Sequence, residues 1–265
     1  MKKHLPKLNK DKKKLTGAIM QPSYLSWLGY YDLIDRANVF VFYDDAQLVK
    51  RSWCTRNRIK TSNGIQTLTV PVKKTAHRDE ITYKDAEINY EQDWVNEHLK
   101  AIKLNYARSS HFEPVCNLLE AEYQKCPKYL ADLNIGIIRT LSLLLGIETK
   151  FIRSSKLQVE GKKDKRLVQI CQAVGVGAYL SPQGSADYIE QENPGGEFGK
   201  TGIELFYQNF EHPKYPQLWG EFASHLSVID ALMNCGPAET IKLIRGGQKK
   251  NYNSDEFREI IKKDH

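Results

Sequence analysis

The sequence has no apolar run of the roughly 18 residues that a membrane-spanning helix needs. Its first fifteen residues are basic, and no apolar segment long enough for a signal peptide follows them. A phosphate-binding Gly-x-x-x-x-Gly-Lys loop, a Gly-x-Ser-x-Gly turn and paired Cys or His residues at metal-ligand spacing are also missing. These absences argue against an integral membrane protein, a serine hydrolase and a metal enzyme. We therefore predict a cytoplasmic chain with no integral membrane association and no metal site.

Cysteine is scarce, with five residues at positions 54, 116, 126, 171 and 235. The odd number and the absence of metal-binding spacing predict free thiols in a reducing compartment. Cys171 and Cys235 lie in apolar stretches and are expected in the core. A catalytic cysteine is an alternative for acyl transfer, and Cys54 is the best placed for it.

Positive charge is concentrated at the amino terminus. Residues 1–15 hold seven Lys and one Asp, so they carry +6 of the net charge of +7. We predict a basic disordered leader over residues 1–15, which is either a passive tail or an electrostatic tether for acidic lipid or RNA. A single α/β domain is expected over residues 16–245, with a helical insertion at about 93–146. Residues 246–265 are expected to form a polar appendage.

The first apolar strand, around residues 18–20, runs into a polar turn and then a helix. Ser23 or Ser26 is expected to cap that helix, and the positive helix end suits a phosphate. A second strand at 39–43 completes a βαβ unit and ends at the pair Asp44 and Asp45. The predicted contacts to substrate or nucleotide in the turn are Gln21, Tyr24 and Tyr30.

A basic segment follows, with eight Lys or Arg and no acid between residues 46 and 78. It is either a solvated surface or an anion site for a nucleotide diphosphate or an RNA backbone. Because it holds no acid to pair with and guanidinium groups match phosphate oxygens, we favour the anion site. The predicted ligands in this segment are Lys50, Arg51, Arg56, Asn57 and Lys73.

A second α/β stretch repeats the opening pattern, with strands at 150–153 and 178–181 and a helix at 163–174. This order predicts a mainly parallel, Rossmann-like sheet, similar to nucleotidylyltransferase-like folds, with flanking helices. The polar turns after the strands are then expected to meet the first turn at one pocket and to supply Arg153, Ser154, Ser181 and Ser185. In nucleotidylyltransferase-like folds the first turn bears a histidine pair, and here Tyr24 and Tyr30 stand in that place.

Two histidines are candidate bases. His98 shares a helix face with Trp94 and Ile102, which is also the pattern of a core residue. His212 lies in the segment His-Pro-Lys-Tyr-Pro-Gln, whose prolines favour a rigid loop, with Tyr215 and Gln217 beside it. We take His212, His98 and Asp44 as the candidate catalytic residues.

Several motifs together resemble one known family. They are Ile19-Met-Gln-Pro-x-Tyr, Gly29-Tyr-x-x-Leu33, Val39-Phe-Val-Phe-Tyr-Asp-Asp45, Arg56-Asn-Arg58 and His212-Pro-x-Tyr-Pro-Gln217. In this respect the chain is similar to the WbqC-like protein family. The resemblance implies a place in O-antigen or other surface-polysaccharide (lipopolysaccharide) biosynthesis, and a role in aminoacyl transfer to an amino sugar.

The expected function is an N-acyl or aminoacyl transferase acting on a nucleotide-linked amino sugar. The donor is left open between an aminoacyl-tRNA, an acyl carrier and an amino acid activated by ATP. The alternatives are an ATP-dependent ligase or nucleotidyl-transfer enzyme, in which Asp44 and Asp45 hold Mg²⁺, and a non-catalytic protein that binds a sugar nucleotide or RNA.

Overall fold

The computed structural model describes residues 14–49, 52–74 and 81–261. The chain begins with the predicted βαβ unit, in which strands β1 and β2 pair in parallel with Ala18 opposite Phe40. The bounds are β1 Thr16–Met20, α1 Leu28–Arg36 and β2 Val39–Phe42. The predicted serine caps are wrong: the N-cap is Trp27, with no side-chain cap bond, and the Ser26 hydroxyl instead donates to Ser23 O at 3.0 Å.

Between β2 and the next strand of the sheet, the described residues form an antiparallel hairpin and three α-helices. In the hairpin, Arg56 pairs with Thr69 and Asn57 with Leu68. Helix α4 ends at Leu144 with Leu145 as its C-cap, and the next residue is Gly146, whose φ of +69° is easy for glycine. The bounds are β3 Arg56–Thr61, β4 Gly64–Thr69, α2 Trp94–Tyr106, α3 Phe112–Gln124 and α4 Leu130–Leu144.

The sheet confirms the predicted Rossmann-like α/β fold. Its order is β5-β2-β1-β6-β7-β8, and every pairing is parallel except that of β7 with β8. The remaining bounds are β5 Lys150–Arg153, α5 Lys163–Val174, β6 Ala178–Ser181, α6 Ala186–Ile189, β7 Glu204–Tyr207, α7 Val228–Cys235, α8 Pro237–Gly246, β8 Tyr252–Asn253 and α9 Ser254–Ile261.

Apolar layers cover both faces of the sheet. Because side chains alternate along a strand, Ala18 faces one layer and Ile19 the other. The first layer holds α1, the insertion helices and α7, whereas the second holds α5 and Phe257 of α9. Two covered faces explain why the strands read as continuous apolar runs. No helix in the described ranges is both long and apolar enough to cross a membrane.

The carboxyl-terminal segment is part of the domain, which corrects the expected appendage. β8 extends the sheet, with Tyr252 opposite Tyr207, and the ring of Phe257 stacks on that of Tyr207 at 4.6 Å. At the other terminus Lys14 pairs with Glu204 at 3.0 Å. The last two leader residues therefore belong to the fold, whereas residues 1–13 lie outside the described residues.

Candidate functional site

A cavity of about 320 Å³ opens where β1 ends and α1 begins. Its position at the carboxyl edge of a parallel sheet is the usual place for a ligand in this architecture. Among the described residues that line it, none is acidic, and the lining consists of Met20, Ser23, Ser26, Trp27, Tyr30, Trp53, Asn57, Arg58 and His225. Of the predicted site residues, Tyr30 and Asn57 are in this lining.

The turn that forms the cavity floor is held by the hairpin. Asn57 Nδ2 donates to Tyr24 O at 3.0 Å and to Leu25 O at 2.8 Å. Leu25 has a φ of +43°, a strained value for a residue with a side chain, and these bonds stabilise it. The ring of Trp27 lies against Gly29, where a Cβ would come within 2.3 Å of it. Gly29 is therefore required so that Trp27 can pack here.

Two guanidinium groups lie beside the half-exposed ring of Trp53. Those of Arg58 and Arg56 are 5.3 and 5.8 Å from its centre. Arg58 donates from one terminal nitrogen to His225 O at 3.1 Å. Its Nε is a buried donor to which the described residues offer no acceptor. Arg58 lines the cavity, and no acidic side chain in the lining neutralises its guanidinium group, so this side of the cavity suits an anion.

Residues 212–227, of which His225 lines the cavity, form a segment that we call the wall, and this segment joins the turn after β1 directly. Trp27 and Ser227 form an antiparallel bridge, and the backbone N–H of Val228 donates to Ser26 O at 2.8 Å. Behind this wall the buried carboxylate of Asp230 accepts hydrogen bonds from Tyr215 at 2.9 Å, Gln217 at 2.8 Å and Tyr106 at 2.7 Å. The predicted ligands Tyr215 and Gln217 therefore anchor the wall.

Buried Lys60 completes this anchor. Its ammonium group donates to Gln217 Oε1 at 3.2 Å, to Gly220 O at 3.3 Å and to Glu221 O. Burial raises the pKa of the Asp230 carboxyl, although the hydrogen bonds from Tyr106, Tyr215 and Gln217 oppose that rise. The wall is thus fixed by a satisfied polar network below it rather than by apolar packing alone.

His212 packs in this wall among aromatic rings. Its ring is nearly parallel to that of Trp27, with centres 6.1 Å apart, and 4.8 Å from the ring of His225. Nδ1 lies 2.9 Å from Pro213 O, and Nε2 accepts the backbone N–H of His225 at 3.1 Å. Burial and the neighbouring His225 lower the pKa of His212. Both ring nitrogens are engaged, which is unfavourable for the predicted role of base.

His225 lines the cavity and was missed by the sequence reasoning. The apolar spacing of residues 224–234 is typical of a helix, but α7 begins only at Val228, with the Ser227 hydroxyl accepting the N–H of Ile229 at 3.4 Å. The spacing of Ser227 and Asp230 before an apolar run is a capping signature that indicates this start. Burial, followed by the positive Arg58, lowers the pKa of His225, which favours the neutral form of its ring.

Asp44 and Asp45 lie in a separate polar cluster where β2 and β5 end. Asp44 accepts from Arg153 Nε at 2.6 Å and from Ser155 N at 2.9 Å, and Ser154 donates to Asp45 at 2.5 Å. Arg166 pairs with Asp45 at 2.6 Å. Burial alone would raise the pKa of Asp44, but the bonds from Ser155 and Arg153 outweigh it and lower the pKa.

These carboxylates are therefore used within the protein. Because their oxygens already accept hydrogen bonds within the protein, they are poorly suited to bind Mg²⁺ or to orient a substrate. The predicted site residues Arg153 and Ser154 belong to the same hydrogen-bonded cluster. Within the described ranges, no group of three or more His, Cys, Asp or Glu side chains is placed to hold a metal ion.

His98 and Tyr24 are core residues. The Tyr24 hydroxyl lies 2.8 Å from His98 Nδ1 and also contacts the hydroxyl of Tyr123. Burial lowers the pKa of His98 to about 4. The surroundings of His98 are therefore those of a core residue rather than of a base, and neither His98 nor Tyr24 lines the cavity.

The other predicted residues lie in several places. The backbone carbonyl of Gln21 accepts a hydrogen bond from the Tyr30 hydroxyl at 2.9 Å. Ser181 is buried, and its hydroxyl donates to Pro182 O at 3.2 Å. Lys73 pairs with Glu87 at 3.3 Å, so an acid from outside the basic segment neutralises it.

Ser185 lies at the N-cap of α6, and Lys50 and Arg51 lie outside the described residues.

All five cysteines are free, as predicted. Burial raises the pKa of Cys54 to about 11, which does not suit a nucleophile.

Comparison with known proteins supports the resemblance seen in the motifs. The model of the WbqC-like protein family matches residues 21–242. The chain is also 33% identical over 221 residues to the uncharacterized protein Rv1507c of Mycobacterium tuberculosis, covering 83% of this chain and 93% of that protein. No solved structure gives a significant match. Every residue of the cavity lining except Met20 falls within this family match. The chain belongs to the WbqC-like protein family.

Proposed function

We propose that this chain is an N-acyl or aminoacyl transferase that acts on a nucleotide-linked amino sugar in surface-polysaccharide biosynthesis. The observation that carries the proposal is the cavity at the end of β1, which combines tryptophan rings, an unsatisfied arginine donor and a neutral histidine without an acidic side chain in its lining. A nucleotide sugar has an aromatic base, a diphosphate and a reacting amine, and this lining has a counterpart for each. The five free thiols support a reducing, cytoplasmic setting.

Binding of the nucleotide is assigned to the side of the cavity formed by Trp53 and Arg58, where the guanidinium group of Arg56 also lies beside the Trp53 ring. Aromatic side chains stack on bases, and guanidinium groups pair with phosphate oxygens in forked geometry. The volume of about 320 Å³ is at the lower end for ligand pockets, so it holds one part of the substrate while the remainder lies at the opening.

The chemistry requires one proton acceptor. As the sugar amine attacks the acyl carbonyl of the donor, a carbon–nitrogen bond forms and the bond from the carbonyl carbon to the donor oxygen or sulfur breaks. His225 removes the proton from the attacking nitrogen and returns it to the leaving oxygen or sulfur. Its ring has the neutral form that a base needs, because burial and Arg58 lower its pKa.

The direct test is product formation. The protein is incubated with nucleotide-linked amino sugars and with aminoacyl-tRNA, acyl carrier or amino acid plus ATP, and the sugar is examined by mass spectrometry. We expect the sugar to gain the mass of the acyl group. If pyrophosphate release accompanies the gain, the enzyme is an ATP-dependent ligase, and if no donor yields a product the transferase proposal is refuted.

A binding experiment tests the site separately. Tryptophan fluorescence is titrated with UDP and with uridine, for the wild type and for Arg58→Ala. Loss of the guanidinium group should weaken UDP binding about tenfold and uridine binding much less, because only UDP has phosphates. Arg139→Ala, which removes an exposed arginine of α4 outside the cavity, is the matched control and should change neither.

A further inference from the structure

We propose that His212 is a positioning residue, which fixes the backbone of His225 so that the imidazole of His225 enters the cavity. The inference rests on the proposed function only where it takes His225 as the base. It replaces the expectation that His212 itself removes the proton.

The hydrogen-bond partners assign the tautomer of His212. A backbone N–H can only donate, so His212 Nε2, which lies 3.1 Å from the His225 nitrogen, has to present its lone pair. A backbone carbonyl can only accept, so Nδ1, which lies 2.9 Å from Pro213 O, has to carry the hydrogen. In this neutral Nδ1–H form neither nitrogen is available to a substrate.

The backbone of His225 needs this support. Its φ of +56° lies in the left-handed region, which costs free energy for a residue with a side chain. His212 accepts its N–H, and Arg58 donates to its carbonyl at 3.1 Å. Both backbone polar groups of His225 are therefore hydrogen-bonded. Its side-chain Nδ1 lies 2.9 Å from the hydroxyl of Ser224.

The surroundings keep His212 in the required form. Four aromatic rings face it, and the positive Arg58 lies beyond His225. The rings are those of Trp27, Phe210, Tyr215 and Phe222. No carboxylate pairs with His212 among the described residues. A second proton on its ring would remove the acceptor for the His225 N–H without gaining a partner.

The first test needs neither a variant nor a substrate. Long-range ¹H–¹⁵N spectra of ¹⁵N-labelled protein at pH 7 report which imidazole nitrogen of His212 carries hydrogen. We expect the neutral Nδ1–H tautomer. The Nε2–H tautomer or the imidazolium form would overturn the assignment, whatever reaction the protein catalyses.

The second test compares two substitutions of His212. Leucine removes the acceptor, whereas glutamine places an oxygen near the former Nε2. In His212→Leu, hydrogen exchange at the His225 amide should rise at least tenfold, and His212→Gln should restore most of the protection. The control is the amide of Val228, which donates to Ser26 O at 2.8 Å and should be unchanged in both variants. Equal exchange at His225 in all three proteins refutes the proposal.

Turnover separates this inference from the proposed function. If the transferase assay succeeds, His212→Leu should lower kcat at least tenfold with little change in KM, His212→Gln should recover most of kcat, and His225→Gln should abolish turnover. An unaffected kcat in His212→Leu refutes the positioning role. If the wild type forms no product, the transferase proposal fails, and the tautomer and exchange results still decide the role of His212.

Discussion

Replacement of His98 by phenylalanine gives a sharp test of how this protein responds to acid. His98 lies in α2 with 5% of its surface exposed, and its Nδ1 is 2.8 Å from the Tyr24 hydroxyl. Burial lowers its pKa from 6.5 to about 4. Phenylalanine keeps most of the ring volume and removes the titrating group.

The pKa gives both the direction and the size of the effect. Between pH 6.5 and 4, the unfolded chain binds a proton at this position that the native chain does not. The free energy of unfolding should therefore fall as the pH falls through this window. Since one pKa unit corresponds to about 1.4 kcal/mol, His98 should account for a loss of about 3 kcal/mol by pH 4.

The assay is urea unfolding of the wild type and of His98→Phe at several pH values between 7 and 4. At pH 7 the variant should be less stable by about 1 kcal/mol, because it lacks the hydrogen bond to Tyr24. As the pH falls, the difference should shrink and then reverse, since the variant does not take up this proton. A difference in unfolding free energy that stays constant from pH 7 to 4 would show that His98 is not buried in its neutral form.

Three further substitutions test the packing around the cavity and at the sheet edge. Gly29→Ala should cost about 1–3 kcal/mol and weaken UDP binding, because the new Cβ would come within 2.3 Å of the Trp27 ring; chemical unfolding and fluorescence titration measure the two effects. Asp230→Asn should cost about 2 kcal/mol in thermal unfolding, because an amide cannot accept from all three donors, among them Tyr215. Glu190→Leu should speed hydrogen exchange in residues 252–261, because this buried carboxylate accepts from the hydroxyls of β7 and α9 at 2.7 Å.

Each of these substitutions has its own control or opposing outcome. Gly184→Ala, where an added Cβ meets nothing within 4 Å, should leave stability and UDP binding unchanged. If Asp230→Asn is as stable as the wild type, the anchor under the cavity wall does not depend on the carboxylate. If exchange over residues 252–261 is unaltered in Glu190→Leu, the apolar contacts of Phe257 alone hold this segment.

Much of the fold follows from local pattern. The runs at 16–20, 39–42 and 178–181 are apolar because both faces of the sheet are covered, and such runs are readable without a structure. Helix α5 also appears at its predicted bounds, since its apolar periodicity is regular. The carboxyl-terminal segment was misjudged because β8 has only two residues, and its pairing with β7 depends on contacts distant in sequence.

The sequence by itself determined the α/β fold class, the edge of the sheet where the cavity opens, and the family. The tertiary structure alone decided which polar groups are free. Asp44, His98, Tyr215 and Gln217 resemble site residues in sequence, yet partners 13 to 157 positions away in the chain engage them. His225 and Arg58 face the cavity because a strained backbone and a long-range hydrogen bond hold them there. Sequence periodicity reports burial along one element, whereas the availability of a lone pair or a donor depends on groups that only folding brings together.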